Sequence, residues 1–272
     1  MKPESYLLEE KLPHFWCPGC GNGIVLGALL RSMAKKDMAR ENTVIVTGIG
    51  CWGKADDYIK TNTFHGTHGR ALAFATGIKL ANDDLNVIVL MGDGDAATIG
   101  GNHLIHTARR NVNLTAIIVN NHNYGMTGGQ YSGTTPRDSI TKTSPYGHVE
   151  NGFDICQLVK AAGGSFVARA TVFDVVQLDR LIYQALDHKS FSLVEVVSPC
   201  PTHFGRYNKM PEVSKMMMWI KNNTVSIQKS MAMSSEELKG KFITGVFASE
   251  EMEDYNSVYQ KIIDSFNVGD GA

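Results

Sequence analysis

The strongest constraint on the fold is the alternation of short apolar segments with amphipathic ones. Segments rich in β-branched residues lie at 43–47, 86–91, 114–120 and 192–197, and their apolar residues are mostly consecutive rather than at every second position. That pattern is typical of strands buried on both faces. Helical patterns lie between them, at 22–37, 69–82, 98–110, 154–162 and 174–188. The alternation predicts an α/β fold, with a mostly parallel sheet covered by helices on both faces.

One long segment interrupts this alternation. Residues 121–150 are polar, rich in Gly and Thr, and almost without apolar periodicity. A connection of this length within a compact domain is usually functional. It also begins where a predicted strand ends, which is where open α/β sheets bind ligands. We therefore expect the active site at this edge of the sheet.

The rest of the chain shows no repeat, linker or low-complexity segment. We expect one domain over residues 1–233, with Asp174 as the N-cap of its last predicted helix. Residues 234–272 are acidic and irregular apart from a strand-like piece at 241–247, and we expect them to form a C-terminal arm. The arm would be solvated or would lie over a partner subunit.

Charge and composition exclude several classes of protein. The formal net charge is −1, which argues against a general nucleic-acid-binding protein. Apolar residues make up 43% of the chain, enough for a substantial core. We see neither a secretory signal pattern nor an apolar run long enough to span a membrane, so we expect a cytoplasmic protein with no membrane partner.

A glycine-rich acidic turn follows the second predicted strand. Gly92-Asp93-Gly94-Asp95 stands between that strand and a predicted helix, whose free amide groups could bind diphosphate. Asp93 would bind a hard cation, since Mg²⁺ prefers one or two protein carboxylates together with phosphate oxygens. The next strand ends in Asn120-Asn121, which places amide and carbonyl oxygens at the same edge. The pair of turns resembles the thiamine-diphosphate motif.

Cysteines occur in three separate loops that the fold could bring together. Cys17 and Cys20 precede a predicted helix, while Cys51 and Cys200 each follow a predicted strand. Four thiolates could bind zinc or a [4Fe–4S] cluster, or remain unligated. Their wide separation along the chain favours a cluster over a zinc ribbon. Cys156 lies within an apolar helix and is expected in the core.

Gly48-Ile49-Gly50-Cys51-Trp52-Gly53 matches the GxGxxG pattern of dinucleotide-binding sites. That kind of site also needs a second strand ending in an acidic residue about 20 positions further on. The chain instead continues through a polar segment containing His68-Gly69-Arg70. An NAD-dependent redox enzyme is therefore a weak alternative.

Together these motifs resemble the β subunits of 2-oxoacid:ferredoxin oxidoreductases, and the match looks closest to the 2-oxoglutarate type. The similarity spans residues 16 to about 210 and is carried by six motifs: WCPGCG at 16–21, GIGC at 48–51, HGR at 68–70, GDGD at 92–95, NNHNYGMTGGQ at 120–130 and SPCPTHFGRYN at 198–208. The resemblance implies a thiamine-diphosphate-binding fold over 1–233 that also carries the iron–sulfur cluster loops.

The resemblance also implies a role for individual residues. Cys17, Cys20, Cys51 and Cys200 would ligate one [4Fe–4S] cluster, and Mg²⁺ would bind the side chains of Asp93 and Asn121 and the carbonyl of Asn123. The thiamine cofactor would be lined by Ile49, Gly50, Cys51, Trp52, His68, Gly69, Arg70, Gly94, Asp95, Gly125 and Met126. Lys54 would recognise the substrate carboxylate, and a surface lysine in a Gly-rich loop is the less favoured alternative.

The activity implied is thiamine-dependent oxidative decarboxylation of a 2-oxoacid, or the reverse reductive carboxylation. Coenzyme A would take the acyl group, and electrons would pass singly through the cluster to ferredoxin. An α subunit carrying the pyrimidine domain would supply the carboxylate that protonates the cofactor, so this chain would be half of an active site. Pyruvate or another 2-oxoacid remains an alternative substrate. A zinc-stapled, non-catalytic scaffold subunit is the alternative from another class.

Overall fold

The structure, a computed structural model, describes residues 1–267. Its centre is an eight-stranded sheet with the strand order β2-β1-β3-β4-β6-β5-β8-β7. Neighbouring strands pair in parallel, except that β5 and β8 are antiparallel. The strands are β1 Thr43–Thr47, β2 Asn62–His65, β3 Asn86–Gly92, β4 Thr115–Asn120, β5 Phe166–Thr171, β6 Ser192–Val197, β7 Thr224–Ser226 and β8 Phe242–Ser249.

Helices connect these strands and cover the sheet. In the described part of the chain they are α1 Asn22–Lys35, α2 Ala71–Ala81, α3 Gly101–Arg110, α4 Ile155–Ala161, α5 Val175–Asp187, α6 Val213–Asn223, α7 Ile227–Ser230, α8 Ser235–Leu238 and α9 Tyr255–Asn267. Two short π-helical turns, Gly94–Ile99 and Pro201–Gly205, follow β3 and β6.

Two hydrophobic clusters lie on opposite faces of the sheet. On one face, Leu29 of α1 and Leu181 of α5 pack against the strands. On the other, Leu72 of α2, Leu104 of α3 and Val159 of α4 do the same. The prediction of a mostly parallel sheet with helices on both faces is therefore confirmed.

Several elements lie outside the sequence-based expectations. The edge strand β2 is exposed along its length and lacks an apolar pattern. Strand β5 is buried throughout although Arg169 interrupts its apolar run. Helices α6 and α9 were not predicted, although apolar residues recur at helical spacing in both, at 213, 216, 217 and 220 and at 255, 258, 259, 262, 263 and 266.

The C-terminal segment contributes to the sheet. The predicted strand-like piece corresponds to β8, which pairs with β5 along the sheet. Close to it, the side chain of Asn111 donates to the carbonyl of Glu253 (3.0 Å), and Asn256 donates to the carbonyl of Lys79 (3.1 Å). The boundary at residue 233 stays a prediction, and residues 268–272 of the predicted arm lie outside the described residues.

None of the helices within residues 1–267 combines the length and the apolar character needed to cross a bilayer.

Candidate active site

The loops singled out from the sequence meet at one edge of the sheet. Strands β1, β3, β4 and β6 are parallel neighbours, so their carboxyl ends all point the same way. The GIGC, GDGD, NNHNYG and SPCP loops begin at these four ends. Parallel α/β sheets characteristically bind ligands at this edge.

A cavity of about 100 Å³ lies between three of these loops. Its lining includes residues that were predicted to contact the cofactor, namely Ile49, Gly50, Cys51, Trp52, His68, Gly94, Asp95, Gly125 and Met126. The predicted cation ligands Asp93, Asn121 and Asn123 line it as well. The fold thus brings residues from distant parts of the sequence around a single space, while their roles stay predictions.

Asp93 is buried, with 1% of its surface exposed, at the floor of this cavity. One carboxylate oxygen accepts hydrogen bonds from the hydroxyls of Ser132 and Thr134, both at 2.5 Å. Burial raises the pKa of the Asp93 carboxyl to about 6, and the two hydroxyls only partly oppose that shift. A carboxylate withdrawn from water in this way is well suited to bind a cation.

Asp95 orients the loop that precedes α2. Its Oδ1 accepts a hydrogen bond from the backbone N–H of Gly69 (2.6 Å) and lies against Nδ1 of His68. Its Oδ2 is buried without a hydrogen-bond partner. The His68 ring also packs edge-on against Tyr124, at 5.8 Å between ring centroids. Asp95 therefore positions a histidine on the wall of the cavity.

Glycine is needed where these loops approach each other. A Cβ on Gly48 would lie 1.9 Å from a carboxylate oxygen of Asp95, and one on Gly94 would lie 2.3 Å from the Tyr124 ring. Neither contact can be relieved without moving a residue of the site. These two glycines therefore bring the loops after β1, β3 and β4 into contact.

The four predicted cluster cysteines line a second cavity of about 200 Å³. Its wall includes Cys17, Cys20, Cys51 and Cys200, together with Trp16, whose indole N–H donates to the carbonyl of Cys51 at 2.6 Å. Cys51, Asn121, Gly125 and Met126 line both cavities. A group bound among the cysteines would therefore share a wall with a group bound beside Asp93.

The cysteine side chains do not form a compact single-ion site among the described residues. Within residues 1–267, no three His, Cys, Asp or Glu side chains converge closely enough to share one metal ion. Two thiolates on one zinc ion lie only about 4 Å apart, given Zn–S bonds of about 2.3 Å. The thiolates of a [4Fe–4S] cluster bind different irons and lie further apart.

Two of the four thiols have a raised pKa because they are buried. Burial raises the pKa of Cys20 to about 12 and that of Cys51 to about 11, and the neighbouring cysteines add to both shifts. A bound cationic group would release these protons, because thiolates are the ligating form. Cys156 lies apart from them, fully buried, with its Sγ 3.3 Å from Glu195. It belongs to the core, as expected.

Three predicted residues lie outside the lining of either cavity. Gly69 contributes its backbone N–H to Asp95. Arg70 donates to the backbone carbonyls of Gly69 (3.2 Å) and Ile99 (3.3 Å). Lys54 is about one-third exposed and pairs with Asp57 at 2.7 Å.

Other residues at the site were not foreseen from the sequence. Tyr124 and Thr127 line the first cavity, and the hydroxyls of Ser132 and Thr134 hydrogen-bond to Asp93. Tyr124 and Thr127 belong to the motif at 120–130, whereas the only signal for Ser132 and Thr134 was that they belong to the polar segment 121–150. A larger groove of about 540 Å³, beside Trp219, contains none of the predicted site residues.

Comparisons with known proteins agree with this geometry. Residues 17–196 match the family described as "Thiamine pyrophosphate enzyme, C-terminal TPP binding domain". The chain is 50% identical to the 2-oxoglutarate synthase subunit KorB of Methanothermobacter marburgensis over 244 residues, which cover 90% of this chain and 86% of that protein. It is 44% identical to the protein of the same name from Methanocaldococcus jannaschii over 260 residues, 96% of each.

A solved structure is similar over almost the whole chain. It is the 2-oxoglutarate:ferredoxin oxidoreductase from Magnetococcus marinus with 2-oxoglutarate, coenzyme A and succinyl-CoA bound. The TM-score is 0.88 at 32% identity, and the match covers 98% of this chain and 91% of that one. From the family match and these relatives, the chain belongs to the thiamine pyrophosphate-binding β subunits of 2-oxoacid:ferredoxin oxidoreductases.

Proposed function

We propose that the chain is the β subunit of a 2-oxoglutarate:ferredoxin oxidoreductase, acting on 2-oxoglutarate and coenzyme A by oxidative decarboxylation or its reverse. The observation that carries the proposal is the pair of adjoining cavities. One is lined by the GDGD and NNHNYG loops, the other by four cysteines, and Cys51 lies on both. The thiamine-bound carbon centre and the cluster that accepts its electrons would lie on two sides of one wall, an arrangement that suits single-electron transfer.

In this proposal the first cavity binds Mg²⁺ and thiamine diphosphate. Asp93 and Asn121 provide side-chain oxygens to the cation, and Asn123 provides its backbone carbonyl. His68, held by Asp95, and the backbone of Gly94 face the cofactor. The close approach of the loops at Gly48 and Gly94 leaves room for the cofactor against the backbone.

The second cavity binds one [4Fe–4S] cluster through Cys17, Cys20, Cys51 and Cys200. When bound, thiamine diphosphate supplies the nucleophile and electron sink for decarboxylation, and the cluster accepts electrons one at a time for ferredoxin. The protein's own contribution is to hold both groups at a fixed separation and to shield them from water.

The substrate preference is supported by the relatives, which are named for 2-oxoglutarate. Pyruvate or another 2-oxoacid remains the alternative. Lys54 is the proposed partner of a substrate carboxylate. Its ion pair with Asp57 is partly exposed, and exposed pairs are worth about 1 kcal/mol or less, so a substrate carboxylate could compete for it.

The proposal is tested by anaerobic co-purification of the chain with its α subunit, followed by measurement of iron, sulfide and thiamine diphosphate per chain. A [4Fe–4S] cluster requires equal amounts of iron and sulfide, about four of each. Zinc without iron and thiamine would overturn the proposal.

Lys54 is tested separately by Lys54→Ala, with the exposed Lys60→Ala as its control. The value of kcat/KM for 2-oxoglutarate should fall in the first variant and stay constant in the second. A larger fall for 2-oxoglutarate than for pyruvate would place Lys54 at the carboxylate that pyruvate lacks. Unchanged kcat/KM for both substrates would refute the role of Lys54 without affecting the thiamine and cluster sites.

A further inference from the structure

A buried glutamate occupies the interior of β6. Glu195 is 1% exposed and stands in register with Arg169 on β5 and Ile118 on β4. Its Oε2 accepts a hydrogen bond from Nε of Arg169 at 2.8 Å. A buried ion pair is seldom a net source of stability, because both charges must leave water. Its second oxygen connects it to the candidate active site.

The second oxygen of Glu195 fixes the orientation of an amide. Oε1 accepts from Nδ2 of Asn120, the last residue of β4, at 2.8 Å. A carboxylate only accepts hydrogen bonds, so the NH₂ group of Asn120 must face Glu195. The backbone N–H of His122 donates to Oδ1 of the same amide at 3.1 Å. The Asn120 carbonyl therefore faces the hydroxyl of Thr134, which also contacts Asp93.

That carbonyl competes for one proton. Oγ1 of Thr134 lies 3.1 Å from Oδ1 of Asn120 and 2.5 Å from Oδ2 of Asp93. A hydroxyl has a single proton to donate, so the two acceptors share it. The more strongly Asn120 attracts this proton, the less the charge of Asp93 is neutralised by Thr134. A carboxylate that receives less hydrogen bonding remains a better ligand for a cation.

We propose that Glu195 is a positioning residue for the cation site. Through the amide of Asn120 and the hydroxyl of Thr134 it sets how much hydrogen bonding Asp93 receives. The inference rests on the proposed function, in which Asp93 binds Mg²⁺. Groups that hydrogen-bond to metal ligands commonly change metal affinity by about tenfold or more.

Arg169 anchors the glutamate from the opposite side. Its guanidinium is buried and donates to Asp154 at the start of α4 (2.5 Å) and to the carbonyl of Ile243 on β8 (3.2 Å), as well as to Glu195. These contacts fix the Arg169 guanidinium from three elements. The carboxylate can therefore keep Asn120 in one orientation rather than follow it.

The test is Glu195→Gln in the complex with the α subunit. A glutamine amide can donate as well as accept, so Asn120 becomes free to rotate and direct its NH₂ group at Thr134. Thr134 would then commit its proton to Asp93. Binding of Mn²⁺, followed by electron paramagnetic resonance with thiamine diphosphate present, should weaken about tenfold or more. The Mg²⁺ concentration needed for half-maximal activity should rise more than kcat falls.

Asp154→Asn is the matched control, because it weakens the Arg169 network without touching Asn120. It should lower the melting temperature but leave Mn²⁺ affinity unchanged. If the Glu195→Gln complex does not assemble, the double variant Arg169→Gln/Glu195→Gln is measured instead, because its neutral pair leaves no Arg169–Glu195 charge unpaired. The same loss of Mn²⁺ affinity is expected.

A double-mutant cycle tests whether the effect of Glu195 reaches Asp93 through Thr134 or reflects a general disturbance of the structure. With Thr134→Val as background, Glu195→Gln should cause little further loss, because the path is already interrupted. Additive losses, or an assembled Glu195→Gln complex with unchanged Mn²⁺ affinity, would overturn the inference. Absence of thiamine-dependent Mn²⁺ binding in the unmodified complex would instead refute the proposed function.

Discussion

Asp93 shows how a single residue can oppose stability while serving a site. Burial raises its pKa from 3.8 to about 6 in the protein without a cation. An acid whose pKa is higher in the folded state binds more protons there, so stability falls as pH rises from about 4 to 6. Above pH 6 the cost is complete, at about 3 kcal/mol for this shift.

Asp93→Asn should therefore stabilise the metal-free chain. The amide keeps hydrogen bonds with Ser132 and Thr134 but carries no buried charge. The gain in the free energy of unfolding, measured by urea denaturation, should be about 3 kcal/mol at pH 7 and markedly smaller at pH 5. A gain that does not change between these pH values would show that the carboxylate is not the cause.

The same substitution should remove Mg²⁺-dependent binding of thiamine diphosphate, measured by quenching of the intrinsic tryptophan fluorescence. Asp174→Asn serves as the control, because Asp174 caps α5 by accepting from the backbone of Gln177, and asparagine caps equally well. Retained binding in Asp93→Asn would exclude Asp93 as a cation ligand.

Replacing a cysteine at the second cavity should lower iron binding, whereas replacing the core cysteine should not. Cys200→Ser should lower the iron content and the broad visible absorbance of the anaerobically purified chain, because one thiolate ligand is lost. Cys156→Ser should preserve both, since Cys156 lies away from the cavity and serine can keep a hydrogen bond to Glu195. Equal iron in the two variants would contradict the assignment of Cys200.

At the scale of elements, two glycines with opposite environments allow a paired test. Gly94→Ala places a methyl group 2.3 Å from the Tyr124 ring, so the loop after β3 must move. Gly77, on the exposed side of α2, has open space around the position of a Cβ. Gly77→Ala should stabilise the chain by about 0.5–1 kcal/mol, because alanine loses less backbone entropy in a helix.

Gly94→Ala should instead weaken Mg²⁺-dependent thiamine binding while changing thermal stability much less than it changes binding. Calorimetric titration and thermal denaturation of both variants check the two effects. If both variants bind normally, the close approach of Gly94 to Tyr124 has no part in forming the cavity.

The central elements could be predicted because their local patterns agree with their final surroundings. Strand β1 has a continuous apolar centre and is buried throughout, and Asp174 caps α5 as the sequence indicates. Strand β5 could not be predicted in the same way. Arg169 is acceptable inside it only because Glu195 and Asp154, distant in sequence, come to lie beside it.

The candidate site also has a part that could be predicted from local sequence and a part that could not. The motif loops are local and sit at strand ends, so their meeting at one edge follows from the parallel sheet. The contacts of Ser132 and Thr134 with Asp93 depend instead on the path of a long irregular segment. No periodicity in residues 121–150 indicates which hydroxyls turn inward, so only their membership of a functional loop could be inferred.

At the scale of the whole molecule, the two alternative classes can be weighed against the family. A zinc-stapled, non-catalytic scaffold is not supported, because the chain belongs to a family of enzyme subunits. An NAD-binding site would need an acidic residue at the end of the second strand. Strand β2 ends at His65 instead, and the GIGCWG loop lies on the same cavity as Asp93.

The last prediction concerns how much chemistry this chain can perform alone. Thiamine enzymes need a carboxylate to protonate the aminopyrimidine ring. The carboxylates lining the first cavity, among the described residues, are Asp93 and Asp95. Asp93 is engaged by two hydroxyls and Asp95 by His68 and Gly69. Both lie on the turn that would hold the diphosphate and the cation, not the ring.

We therefore expect the isolated chain to bind Mg²⁺ and thiamine diphosphate but not to oxidise 2-oxoglutarate. Addition of the α subunit should restore coenzyme A-dependent reduction of ferredoxin, with the rate saturating at equal amounts of the two chains. An α subunit in which the carboxylate proposed to protonate the aminopyrimidine ring is changed to an amide should still associate with this chain. It should not restore activity. Substrate turnover by the isolated chain would mean that the proton-donating group belongs to this subunit, and Asp95, with its unpartnered oxygen, would become the first residue to change.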